Sequence, residues 1–259
     1  MIAHYAGVHG GTSSYRLPAD AHPAIFAYSL NRKLRYLYEG EYFRYRQESG
    51  GEYDYPTNTP DLTEDVYIVK IYDQKIPGIP VQDLVQLTES KQAKLQSTPG
   101  GYVAVFNQEE YYDISSLLSY IEEDFTITAL ADGGNAPRPL VGLWGSSDIV
   151  TIEPSNVTTR FAFNSNTGAM LSEDGRVIQC FSGFDQAQNG SNIISIRNGS
   201  ERALRVRPSL NSNFTHLYIG RQSERYYKGN LSEITMHTGK LTKIAANQIF
   251  QTTRTEYGD

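Results

Sequence analysis

One cysteine, Cys180, occurs in 259 residues, which excludes an internal disulfide and a cysteine-built zinc site. The chain is therefore expected to fold in a reducing cell. Basic residues are not in excess: 23 Lys and Arg face 29 Asp and Glu, for a net charge of -6. Nucleic-acid binders draw affinity from cations on phosphates, so no nucleic-acid partner is expected. No run approaches the roughly 20 apolar residues that span a bilayer, so no membrane span is expected either. The opening "MIAHYAGVHGGTSSYRL" has neither a basic n-region nor an apolar h-region, and no secretion signal is read in it.

Catalytic and metal motifs are equally scarce. His4, His9, His22, His216 and His237 are scattered, without HxH or HExxH spacing, so no metal site is expected from them. There is no G-x-S-x-G nucleophile elbow, and "ADGGNAPRP" lacks the G-x-G-x-x-G order of a phosphate cradle. No cofactor is expected, with one opening left. "DGGN" and "NSNTG" carry carboxylate and carbonyl oxygens of the type that bind Ca²⁺.

What the chain does have is tyrosine, 19 of them against a single tryptophan. Tyrosine suits half-buried sheet faces and rigid contact surfaces alike. The plain reading is β-rich structure with wet edges; the sharper one is a surface spent on other proteins or on sugars. Trp144, in "VGLWGSS", divides the same way: core packing, or a sugar-stacking platform beside Asp148.

Along the chain, residues 1–23 show no periodicity and read as an N-terminal arm that docks the protein onto a partner. "AIFAYSLNRKLRYLY" places Ile25, Tyr28, Leu30, Leu34, Leu37 and Tyr38 near helical spacing, which predicts a short helix. "EYFRYRQ" alternates as a strand, and "VYIVKIYDQ" is the clearest buried strand of the first half. From Gly101 short strands follow one another, separated by turn signals such as "NSNTG" and "SEDG". "DISSLLSYIEED" interrupts them as a helix. "LTKIAANQIFQ" puts Leu241, Ile244, Ala245 and Ile249 on one stripe and closes the domain as a helix. The strand count predicts an all-β two-sheet sandwich over residues 24–259.

Three anchors in order resemble a known family: "AYSLNRKLRYLYEGEYFRYRQ", "VYIVKIYDQ" and "YYKGNLSEITMHTGKLTKIAANQIF". They are similar to the catalytic domain of family-54 α-L-arabinofuranosidases and its relatives among bacteriophage structural proteins. The resemblance implies a concanavalin A-like jelly-roll β-sandwich. It also implies where catalysis would sit. A retaining glycosidase needs two carboxylates about 5 Å apart. The stretch matching the family's nucleophile strand is "RFAFNSNTG", with Asn164, Ser165 and Asn166 and no carboxylate. The stretch matching its acid/base is "LYIGRQSER", where Arg221 and Gln222 stand and Glu224 is the nearest carboxylate. Glutamine has the shape of glutamate but cannot exchange a proton usefully. The family's vicinal cysteine pair is missing as well.

The expectation is therefore a protein that is not an enzyme. It is read as a virion structural protein of a tailed bacteriophage (tail, fibre or capsid-attached), folded in the host cytoplasm. Its partners would be other virion proteins, in multiple copies or as a homo-oligomer, and host-surface polysaccharide. The alternative is a carbohydrate-binding module or an arabinofuranosidase-like glycoside hydrolase. The binding residues expected are Trp144, Asp148, Gln222 and Glu233. For Glu233, alternation in "NLSEITMH" puts Ser232, Ile234 and Met236 on the core face, and Leu231, Glu233, Thr235 and His237 on a mixed face. That face would leave Glu233 available for hydrogen bonding.

Overall fold

The computed structural model describes residues 17–238, apart from residue 22, 76–79, residue 108, 122–124, 134–137, 146–148, 155–157, 164–165, 172–176, 183–193, 198–199 and 204–213. The closing helix expected at 241–251, most of the N-terminal arm, Asp148 and the "SEDG" turn lie outside the described residues. So do parts of "DGGN" and "NSNTG".

The protein is an all-β sandwich. Its large sheet runs, edge to edge, through Ser200–Ala203, Ile194–Arg197, Val177–Ser182, Phe125–Gly133, Gly229–Thr238, Gly101–Phe106, Lys94–Thr98, Val66–Ile71, Phe43–Gln47 and Glu52–Tyr55. Ala24–Ser29 and Leu84–Val85 pair onto it beside this path. The small sheet runs through Asn166–Leu171, Thr158–Phe163, Ile149–Pro154, Val141–Gly145, Phe214–Ile219 and Tyr112–Asp113. The pairings described are antiparallel, as expected for a chain of short strands joined by tight turns. One core joins the sheets. Val141, Leu143, Ile152, Leu217 and Ile219 of the small sheet share it with Ile25, Phe26, Ile68, Phe106 and Ile234 of the large one.

The strand Gly229–Thr238 is the hub. One of its edges pairs with Phe125–Gly133; the other pairs first with Phe106–Ala104 and then with Ala24–Ser29. Its register slips between Leu231 and Glu233, so strict alternation fails there. Both of its faces are covered from Leu231 to His237.

Residues 24–29 are a strand, not the helix that their spacing predicts, and all six are buried. The apolar positions Ile25, Tyr28 and Leu30 fit a helical period only because every position here faces protein. When both faces are covered, the period of the hydrophobic pattern carries no information. After Leu30 the backbone turns without forming a helix as far as Phe43. Before it, Pro18–Ala21 makes one helical turn, with Ala19 buried and its amide donating to the Leu34 carbonyl at 2.9 Å. "DISSLLSY" forms a short 3₁₀ turn over Ser115–Tyr120.

Candidate functional site

The outer face of the small sheet collects side chains of a kind unlike its inner face. In Val141–Gly145 and Phe214–Ile219, Leu143, Leu217 and Ile219 point into the core, so Gly142, Trp144, His216 and Tyr218 point outward. Cross-strand register pairs Trp144 with His216 and Gly142 with Tyr218. The Trp144 and His216 rings stack at 4.9 Å and 6°, and Tyr218 meets Trp144 edge-on at 4.6 Å. All three rings are half-buried, so each keeps a surface toward solvent.

A hairpin, Arg221–Gln222 paired with Arg225–Tyr226, folds over the neighbouring part of this face. Gly142 makes room for it. A Cβ there would collide with the Arg221 carbonyl oxygen and come within 2.8 Å of Gln222 Cβ. At the hairpin tip Ser223 adopts φ 50°, a left-handed conformation that costs a non-glycine residue on the order of 1 kcal/mol. Arg221 Nε donates to the Ser223 carbonyl at 2.7 Å and closes the turn. The far strand of the hairpin is tied to the sheet by Arg225, whose Nη1 donates to Glu153 Oε1 at 2.7 Å. Glu153 is 1 % exposed and also accepts from Thr151 Oγ1 at 3.0 Å, so this carboxylate holds the hairpin down.

Tyr111, Tyr218 and Tyr226, from three separate elements, gather around Arg221. Its guanidinium carbon lies 4.8 Å from the Tyr111 ring centre, 5.3 Å from Tyr226 and 5.4 Å from Tyr218. The Tyr218 hydroxyl is raised above its ordinary value, first by burial and then by the Asp113 carboxylate it bonds. It is therefore a neutral phenol at physiological pH. Together these side chains form a ledge of aromatic rings with Arg221 at its end, and Lys91 Nζ lies 5.4 Å from the Tyr111 ring centre.

Of the residues expected from sequence, Trp144 lies on this ledge. Gln222 is 7 % exposed, folded under the hairpin against Gly142. Glu233 lies in the large sheet, 4 % exposed, and accepts from Arg32 Nε at 2.7 Å and Nη2 at 2.8 Å. It therefore lies apart from Trp144 and Gln222 rather than completing a site with them. The "YDQ" that ends the middle anchor is likewise a set of staples. Tyr72 donates to Asp54 at 2.7 Å, and Asp73 accepts from the amides of Ala27, Lys75 and Gln82. Gln74 accepts from the Leu34 amide at 2.8 Å and donates to the Arg32 carbonyl at 3.2 Å. Burial pushes the Asp73 carboxyl up, against the opposing pull of Lys75.

Sequence reasoning missed Arg221, Tyr111, Tyr226, Glu153 and Arg225 as a group. They lie on four segments, and nothing in their local patterns links them. No group of three or more His, Cys, Asp or Glu side chains placed to hold a metal occurs among the described residues. No described helix is long and apolar enough to cross a membrane.

No family model and no curated protein matches this chain. Solved structures do. An arabinofuranosidase in complex with arabinofuranosyl-α-1,2-xylobiose superposes with a TM-score of 0.68 at 14 % identity. A family-54 α-L-arabinofuranosidase soaked with a cyclic sulfate inhibitor gives 0.66 at 13 %. Each match covers 93 % of this chain and 65 % of the other, so the chain spans about two-thirds of the length of these relatives. At this identity the likeness establishes the fold: an all-β sandwich of the architecture seen in carbohydrate-active proteins.

Proposed function

We propose that this protein is a carbohydrate-binding sandwich that holds a sugar on the ledge of Trp144, His216 and Tyr218 without cleaving it. The supporting observation is the ledge itself. Flat, half-exposed rings are held rigidly in cross-strand register, and sugar C–H faces stack on such surfaces at small entropic cost. The structural relatives act on arabinofuranosides, which supports carbohydrate as the ligand class. The tailed-bacteriophage setting expected from the resemblance gains no support from them.

The described carboxylates support binding without hydrolysis. Among the described residues Glu153 is the one buried carboxylate of this face; Arg225 and Thr151 both engage its Oε1, and its Oε2 is buried without a hydrogen bond. Glycoside hydrolysis by either stereochemical route calls for a pair. Arg221 and Gln222 stand on the hairpin where the resemblance places an acid/base, and neither exchanges a proton usefully. The test has two arms. Isothermal titration with arabinofuranosyl-α-1,2-xylobiose and xylo-oligosaccharides should show saturable binding. Incubation with 4-nitrophenyl α-L-arabinofuranoside should release no nitrophenol. Turnover abolished by Glu153→Gln would establish an enzyme instead.

A further inference from the structure

Arg221 sets the chemistry of the ligand further. Resting on the carbohydrate-binding reading, we infer that the ledge takes an acidic saccharide, with a uronate carboxylate seated on the Arg221 guanidinium.

The cations around the ledge differ in how they are engaged. Arg225 is neutralised by Glu153 at 2.7 Å, and Lys91 reaches Glu109 at 3.4 Å. Farther out, Arg44, Lys70 and Lys94 each face an aspartate. Arg221 has no ion-pair partner among the described residues. Its Nε is used internally by the Ser223 carbonyl, which leaves the two terminal nitrogens as the donors it can offer outward. Three tyrosine ring centres lie 4.8 to 5.4 Å from its guanidinium carbon, and the residue is only half-buried. The terminal N–H donors of a guanidinium match the two oxygens of a carboxylate.

Position points the same way. Tyr218 touches both Trp144, edge-on at 4.6 Å, and Arg221, at 5.4 Å. The cation therefore lies one ring beyond the stacking surface. A pyranose stacked on Trp144, with Tyr218 edge-on beside it, can direct a ring substituent, such as the C6 carboxylate of a uronic acid, past Tyr218 toward Arg221. The protein as a whole carries -6, so long-range attraction does not favour an acidic ligand. Recognition has to come from this local contact, which selects for a carboxylate in one place and not for polyanions in general.

The experiment compares three ligands by isothermal titration against the full chain. They are a xylo-oligosaccharide bearing 4-O-methylglucuronate, the same compound with its carboxyl reduced to an alcohol, and the unsubstituted xylo-oligosaccharide. The inference expects the acidic ligand to bind about 10-fold or more tighter than the reduced one, the scale of one charge-assisted hydrogen bond. Arg221→Gln should remove that preference and bring the acidic and reduced ligands to equal affinity, with thermal melting to verify that the variant folds. The wild-type comparison of acidic with reduced ligand needs no variant. Equal binding of all three ligands would overturn the acidic preference and leave carbohydrate binding standing. Binding of none of them, nor of arabinofuranosyl-α-1,2-xylobiose, would overturn both.

Discussion

Arg32 and Glu233 lie 201 positions apart in the chain and meet as a bidentate pair, at 2.7 and 2.8 Å, with exposures of 7 % and 4 %. The pair links the turn after Ala24–Ser29 to the hub strand just beyond its register slip. A buried charge left alone is costly, whereas an apolar pair of similar volume is often tolerated. Glu233→Gln is therefore expected to lower unfolding free energy by about 3–5 kcal/mol in urea denaturation. The double change Arg32→Met with Glu233→Leu should cost clearly less. Sugar binding by folded Glu233→Gln should match wild type. Lost binding at unchanged stability would instead make Glu233 a ligand contact.

Acid stability depends on another pair. Arg44 donates twice to Asp54, at 2.9 Å each, and Tyr72 adds a third hydrogen bond. These bonds, Arg44 foremost, hold the Asp54 carboxyl below its ordinary value of 3.8. A depressed folded value means that the unfolded chain binds more protons in that window. The contribution is complete above pH 3.8 and is lost as pH falls through the lower folded value. Asp54→Asn should flatten this acid limb in a pH series of thermal melts. An unchanged limb would remove Asp54 from the account.

The distribution of apolar and turn residues showed the fold class, because short strands punctuated by Gly, Asn and Pro leave few alternatives to a sandwich. "VYIVKI" and "FRYRQ" are strands as their patterns predict. "AIFAYS" is not the helix it suggests, because a strand covered on both faces loses its period-2 signature. Glu233 shows a different limit. Alternation assigned it to a mixed face with Thr235 and His237, opposite the core residues Ile234 and Met236, and Thr235 and His237 do meet there at 3.2 Å. The register slip, which sends Leu231 to the core, and the burial of the mixed face were not legible. The candidate site was legible only in part. A lone tryptophan stands out in any sequence, whereas Tyr111, Arg221 and Tyr226 come together only through the pairing of Phe214–Ile219 with Tyr112–Asp113 and the fold of the hairpin.

Gly142 couples the hairpin to the ledge. Gly142→Ala drives a methyl into the Arg221 carbonyl, and overpacking of this kind costs about 1–3 kcal/mol. The hairpin should lift and carry the Arg221 guanidinium away from its tyrosines. We expect a modest fall in melting temperature together with weakened saccharide binding. Wild-type binding in this variant would show that the hairpin takes no part in the site.

The central claim is that sugar binds on the ring ledge of the small sheet. Its most direct test is titration of wild type and Trp144→Ala with arabinofuranosyl-α-1,2-xylobiose and with the glucuronate-bearing xylo-oligosaccharide, alongside circular dichroism of both proteins. The account predicts saturable binding to wild type by at least one ligand, and a loss of about 10-fold or more in a Trp144→Ala variant that keeps its β-sheet spectrum. Undiminished binding by a folded Trp144→Ala protein would contradict it.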